Sequence, residues 1–258
     1  MLPTAVSYLN VTRDLARSLD VVAQLPQNNR EIEYYRENIG KIESIDAFLE
    51  DDRLYNFAMR AAGLSDMTYA KAFMRKVLEE GIDDQNSFAN SLNDTRYREF
   101  AEVFNFNAFG AATTSFTRAG EGMIERYTRQ VLEETEGAQN QGVRLALYFE
   151  RKIEDVDSYL GILADPALAQ VVRVGLGLPD SIAAVDLEKQ IDLMSARVPF
   201  EELKSEAGTG DMLRRFTALW DLTQGSQTQA SAGVVFPSAT QATFSSDLLF
   251  SIQTLKGS

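Results

Sequence analysis

The chain contains neither cysteine nor histidine. Without cysteine there is no thiolate nucleophile, no disulfide and no iron–sulfur or cysteine-ligated zinc site. Without histidine there is no Ser-His-Asp triad and no side chain whose ordinary pKa lies near neutrality, and most transition-metal sites lose their usual ligand. An enzyme built on this sequence is left with carboxylates, or with a lysine or tyrosine base. Long apolar runs are missing as well. The most apolar stretch, around Val171 to Leu178, is cut by Arg173 and two glycines, far short of the ~20 residues that cross a bilayer. The opening MLPTAVSYLN has no basic segment followed by an uninterrupted apolar one, so no export signal and no membrane insertion are expected. Basic residues are outnumbered, 25 Lys and Arg against 38 Asp and Glu, for a net charge of −13. That balance repels phosphate and anionic lipid, which argues against a nucleic-acid partner. The absence of cysteine fits a reducing cytoplasm or a surface structure without disulfides, and leaves the compartment open.

What is present suits a folded, helical chain. Hydrophobic residues are 45% and aromatics 10% of 258 residues, enough for one large domain or two small ones. Apolar residues recur at three- and four-residue spacing almost throughout. Tyr8, Val11, Leu15, Val22 and Leu25 predict an N-terminal helix started at Pro3 and Thr4 and ended by Pro26. Tyr34, Tyr35, Ile39, Ile42, Ile45, Phe48 and Leu49 carry the pattern from Glu31 to Ala62, with Gly63 as its stop. Ser65 and Asp66 offer a cap for a helix through Met67, Ala70, Phe73, Met74, Val77 and Leu78, ended by Gly81. Shorter helices are expected from Asp83–Asp84 and from Asp94 or Thr95. Residues 105–120 read as a connector. Helical pattern resumes from Met123 to Leu163, from Ser181 to Pro199 and from Met212 to Leu222. Residues 225–258 read as a polar, mobile tail with a short terminal helix at Leu248–Leu255. Val234, Val235 and Phe236 are the best strand candidate and are too few for a sheet.

One motif occurs twice. Leu49-Glu-Asp51-Asp-Arg-Leu54 leads to Gly63-Leu-Ser-Asp66, and Leu163-Ala-Asp165-Pro-Ala-Leu168 leads to Gly177-Leu-Pro-Asp180. Leaders that match, Ile42–Phe48 and Ile153–Tyr159, place a small insertion before the second copy. A partial third copy starts at Leu92. Asp before a helix caps its free N–H groups and Gly ends it, so Asp51 and Asp165 read as caps; the functional alternative makes them a pair of acids. The acidic clusters at Glu50–Asp52, Asp83–Asp84, Glu133–Glu136 and Glu201–Glu202 lack calcium-loop spacing. No phosphate loop is present, and Gly175-Leu-Gly177 follows no strand. Tyr97, Phe100, Phe104, Phe106 and Phe109 form a dense aromatic group, read as core.

The runs Ile45 to Leu64, Tyr69 to Gly81 and Ser87 to Phe106 resemble a bacterial family built on a domain of unknown function. Its genes lie in flagellar clusters of alphaproteobacteria, and its members are often labelled flagellar or basal-body rod proteins. The resemblance covers roughly Tyr8 to Leu222. It implies a multihelical fold and brings no catalytic residues. The expectation is therefore an all-α, multihelical protein with two related helix–turn–helix repeats packed together. The expected blocks are 1–26, an N-terminal arm; 27–110 and 120–224, the two repeats; and 225–258, the tail. The expected role is a non-enzymatic structural or assembly protein of the flagellum, cytoplasmic or flagellum-associated, which binds other flagellar proteins. No catalytic, cofactor or metal residue is nominated. The alternative is a hydrolase or lyase that works with carboxylates alone.

Overall fold

Asp14 interrupts the first amphipathic stretch. In the computed structural model, which describes residues 2–233, this stretch is two helices, α1 (Thr4–Thr12) and α2 (Leu15–Ala23). The Asp14 carboxylate accepts from the Arg17 N–H at 3.1 Å and restarts the helix. Pro26, expected as a stop, is also the first residue of α3 (Pro26–Asn38), a position where its missing N–H costs nothing. The pattern from Glu31 to Ala62 is likewise subdivided, into α3, a 3-10 turn at Ile39–Lys41, α4 (Ile45–Glu50) and α5 (Asp52–Ala61). Ser44 caps α4 through the Ala47 N–H at 3.1 Å. Asp51 caps α5 through the Arg53 and Leu54 N–H groups at 3.0 Å each. Gly63, at φ 70°, closes α5. Its N–H reaches the Arg60 carbonyl at 2.9 Å and the Leu64 N–H the Met59 carbonyl at 2.8 Å, the paired bonds of a Schellman end.

Ser65–Met67 is a 3-10 turn and caps nothing; the helix expected from Ser65 begins later, as α6 (Lys71–Glu80). It buries Met74, Val77 and Leu78 and stops at Gly81, φ 62°. Then come α7 (Phe88–Ser91) and α8 (Thr95–Val103), the latter capped by Asp94. The expected connector holds α9 (Phe106–Phe109) and a 3-10 segment, Gly110–Ser115. Its threonines are buried because their hydroxyls find backbone acceptors: Thr113 donates to the Asn105 carbonyl at 3.1 Å and Thr114 to that of Ile42 at 2.8 Å.

Next are α10 (Glu121–Gln139) and α11 (Gln141–Lys152), joined at Asn140, whose side chain caps α11. A 3-10 turn, Ile153–Asp155, leads to α12 (Tyr159–Ala164) and α13 (Pro166–Gly175). Ser158 caps α12, and Asp165 caps α13 through the Ala167 and Leu168 N–H groups at 2.8 and 3.1 Å. Gly177, φ 63°, closes α13 with the same two bonds as Gly63, here to Val174 and from Leu178 to Arg173, both 2.9 Å. Since Ser44 and Ser158 hold matching caps, Val156 and not Ile153 stands where Ile42 does, and the insertion inferred from the leaders is absent. After a 3-10 segment at Asp180–Ala184, where the sequence pattern placed a helix from Ser181, come α14 (Leu187–Ser195), α15 (Phe200–Lys204) and α16 (Glu206–Gly233). Among the described residues every regular element is helical. Residues 225–233, expected in a mobile tail, belong to α16. The strand candidate Val234–Phe236 and the terminal helix expected at Leu248–Leu255 lie outside the described residues. Met1–Asp221 makes one compact unit; Leu222–Ser258 is a second, described only as the end of α16.

The first unit holds two buried cores. One runs from Val11 to Leu147 and centres on Tyr35, Phe48, Tyr55, Phe57, Phe100 and Phe104; Phe48 and Phe104 meet with ring centroids 4.7 Å apart. The other runs from Leu145 to Trp220 and holds Phe149, Val171, Leu203, Phe216 and Trp220. They divide on α11, where Val143 and Leu147 join the first while Leu145, Ala146 and Phe149 join the second. The buried face of α10, from Met123 to Leu132, lies in the first core, so the division of the core falls later in the chain than the break between blocks at residues 110–120.

Candidate functional site

The two motif aspartates are each bound locally. Beyond its capping bonds, Asp51 accepts the Tyr34 hydroxyl at 2.8 Å, and Asp165 accepts the Tyr148 hydroxyl at 2.6 Å. In both cases the tyrosine stands 17 residues ahead. Burial first, then the Asp165 charge and hydrogen bond, push the Tyr148 phenol far above its ordinary range. The hydrogen bond to Asp51 is the main reason Tyr34 is raised. Tyrosines so shifted hold their protons and make poor general bases. Each acid is thus bound within its own copy of the motif, to a helix N-terminus and a tyrosine.

The most buried acid is Glu133, on α10, with a side chain 1% exposed. Arg151 of α11 grips it with two bonds, Nε at 2.8 Å and Nη2 at 2.9 Å, and Arg129 adds a third at 3.4 Å. Burial works to lower the Arg151 pKa, but the Glu133 bonds and charge outweigh it and raise it. Arg129 also reaches Glu150, while Lys152 pairs with Glu99 at 2.8 Å and Arg60 with Glu134 at 2.6 Å. Every member of this network is compensated, which is the condition for keeping charges in the interior. It clamps α10 to α11; Glu136, further along α10, stands outside it, and burial raises its pKa. In two of the other acidic clusters one member is bound: Asp52 pairs with Lys71 at 2.6 Å and Asp84 accepts from the Asn86 N–H. No group of three or more Asp or Glu able to hold a metal occurs among the described residues. The Gly175 and Gly177 pair is structural. A Cβ at Gly175 would lie 2.4 Å from the Met212 sulfur, and Gly177 is the C-cap glycine.

One feature with room for a ligand is not one that periodicity singled out. An open cleft of about 450 Å³ lies between α13 and α14. Pro166, Ala169, Gln170 and Arg173 form one wall; Ile182, Leu187, Gln190 and Met194 form the other. Large apolar side chains stand exposed on the elements that build it, Leu160 at 52% and Leu187 at 46% among them. A second exposed group is Phe109 against Phe116, with Arg118 over both rings at 5.0 and 4.8 Å. Of the aromatic cluster read as core, Phe109 alone is exposed. No helix among the described residues is long and apolar enough to cross a membrane.

A family model described as a protein of unknown function, DUF1217, matches residues 61–208. The chain belongs to the DUF1217 family. It is also similar to a protein from Agrobacterium tumefaciens known from its crystal structure, with 47% identity, a TM-score of 0.79, and coverage of 85% of this chain and 94% of that one. No curated protein matches it. The DUF1217 match contains both glycine caps, Glu133 with Arg129 and Arg151, and the whole α13–α14 cleft, whereas α1 to α4 precede it. What the family brings is a fold; chemistry has to be argued from these residues.

Proposed function

We propose that this DUF1217 protein is a non-enzymatic structural or assembly protein of the bacterial flagellum that acts by binding other flagellar proteins. The observation that carries the binding half is the open α13–α14 cleft, where the exposed Leu187 stands with Ala169, Ile182 and Met194, because exposed apolar surface beside a groove marks interaction sites. The flagellar half rests on the resemblance of Ile45–Leu64, Tyr69–Gly81 and Ser87–Phe106 to a family encoded in flagellar gene clusters. The carboxylate-only hydrolase is the weaker reading, since the acids it would use, Asp51 and Asp165, each spend their oxygens on two backbone N–H groups and a tyrosine. An in-frame deletion of the gene should reduce swimming or the number of flagella per cell, with restoration by the D51N/D165N double variant, since Asn also caps helices. Normal swimming and normal flagella in the deletion strain would sink the flagellar assignment. A correctly folded double variant that behaves like the deletion would point back to carboxylate chemistry. Localisation is tested in the same strains, by fractionating cytoplasm from purified hook–basal bodies.

A further inference from the structure

We infer that the α13–α14 cleft seats an amphipathic helix of a partner protein, anchored by apolar side chains and by a single carboxylate on Arg173. The inference rests on the protein-binding reading above and gives it a site and a partner chemistry. On α13, Pro166, Ala169, Gln170 and Arg173 stand at i, i+3, i+4 and i+7 and line the cleft together. They span two helical turns, roughly 10 Å. Pro166 and Ala169 are short and leave a trough, while Leu187 and Met194 of α14 supply the facing wall. A trough two turns long, extended by Leu163 of α12 and faced by Leu187, matches the i, i+3, i+7 anchors of a docked helix better than a compact small molecule.

The charge pattern narrows the partner. The Arg173 side chain is only 18% exposed, so its stem is packed into the wall and its head is held at the cleft. Its Nε donates to Asp180 at 3.2 Å, and its two terminal nitrogens make no hydrogen bond among the described residues. Asp180 is 76% exposed, a solvated partner that competes weakly. Two free N–H-bearing nitrogens on a planar fork are the geometry that takes a carboxylate bidentately. The chain as a whole carries −13 and repels a broadly acidic ligand. The fitting partner is therefore a helix with an apolar stripe, one acid placed for Arg173, and neutral or basic residues on its outer face.

A displayed library of helical peptides, selected against the full chain, tests this directly. Enriched peptides should share apolar residues at i, i+3 and i+7 and an Asp or Glu at one fixed position. Ala169→Trp, which fills the trough, and Leu187→Asp, a change at an exposed side chain that leaves the buried cores alone, should each weaken the enriched peptides at least tenfold by fluorescence anisotropy, with unchanged circular dichroism. Selection against Arg173→Glu should replace the fixed acid by Lys or Arg. Peptides indifferent to both A169W and L187D, or no enrichment at all, would overturn the cleft assignment. A fixed acid that survives R173E would overturn the carboxylate contact. Should selection fail while deletion of the gene still impairs swimming, the cleft is wrong and the flagellar reading stands; cleft-dependent peptides with normal swimming in the deletion strain give the reverse.

Discussion

Asp165 shows how one carboxylate serves two tasks. One oxygen takes the Ala167 and Leu168 N–H groups and the other takes the Tyr148 hydroxyl. Asn keeps the capping oxygen and offers the tyrosine a donor, so D165N should cost well under ~1 kcal/mol, whereas D165A loses the cap and the tyrosine's partner, about 1–2 kcal/mol; urea unfolding of the two variants checks the order. Asp94 makes a pH-dependent case. Burial pushes its pKa up, but hydrogen bonds from the Arg96 side chain and backbone, with its charge, hold it below the ordinary carboxylate value of 3.8. A native pKa lower than the unfolded one contributes stability above the ordinary carboxylate range, and that contribution is lost as pH falls through the native value. Asp94→Asn keeps the cap and removes the charge. Its urea midpoint should lie below that of the wild type at pH 7 and converge with it toward pH 3; a constant gap would mean that charge is not the source. The caps at Asp51, Asp94 and Asp165 were legible in the sequence because capping is local. Their tyrosine partners were not, since nothing in a 17-residue separation shows that a turn brings Tyr148 back to Asp165.

At the scale of elements, sequence gave the stops more faithfully than the starts. Gly63, Gly81 and Gly177 end α5, α6 and α13 at positive φ as their positions suggest, because few other residues tolerate that conformation. The starts at Ser65, Asp83–Asp84 and Ser181 failed: 3-10 turns precede α6 and α14, which begin after Ala70 and Asp186 with no side-chain cap, and α7 begins only after Ser87. A Cβ at Gly177 meets nothing within 4 Å, so G177A isolates the backbone cost and should destabilise by about 1 kcal/mol in urea unfolding. Steric crowding and not φ governs Gly142, where a Cβ would sit 2.4 Å from the Trp220 ring. The matching caps of α4 and α12, of α5 and α13, and the matching glycine closures predict a closer relation than local geometry alone. Superposing backbone 34–64 on 148–178 should bring both tyrosine–aspartate pairs into register; a fit that breaks at Ser44 and Ser158 would confine the likeness to the caps.

In the whole molecule, α11 belongs to both cores, and this decides whether they stand or fall together. Leu147 is fully buried in the first core and Phe149, two residues on, is fully buried in the second. The Glu133–Arg151 pair, its carboxylate 1% exposed, ties the same helix to α10. The seam was invisible in the sequence: apolar residues on every side of Val143–Phe149 show a buried helix, not that two sets of elements share it. Trp220 lies in the second core and contains the only indole, so its fluorescence reports that core alone while far-UV circular dichroism reports all helices. Leu147→Ala removes contacts from the first core only, and large-to-small changes at such sites cost about 2–5 kcal/mol. If α11 couples the cores, L147A shifts the Trp220 transition and the circular-dichroism transition to lower urea together, and Phe149→Ala does the same from the other side. If instead L147A moves the circular-dichroism curve while the Trp220 midpoint stays at its wild-type value, the cores unfold separately. The shared helix would then be a contact between two independent halves, and the α13–α14 cleft would belong to a half that keeps its structure without the first core.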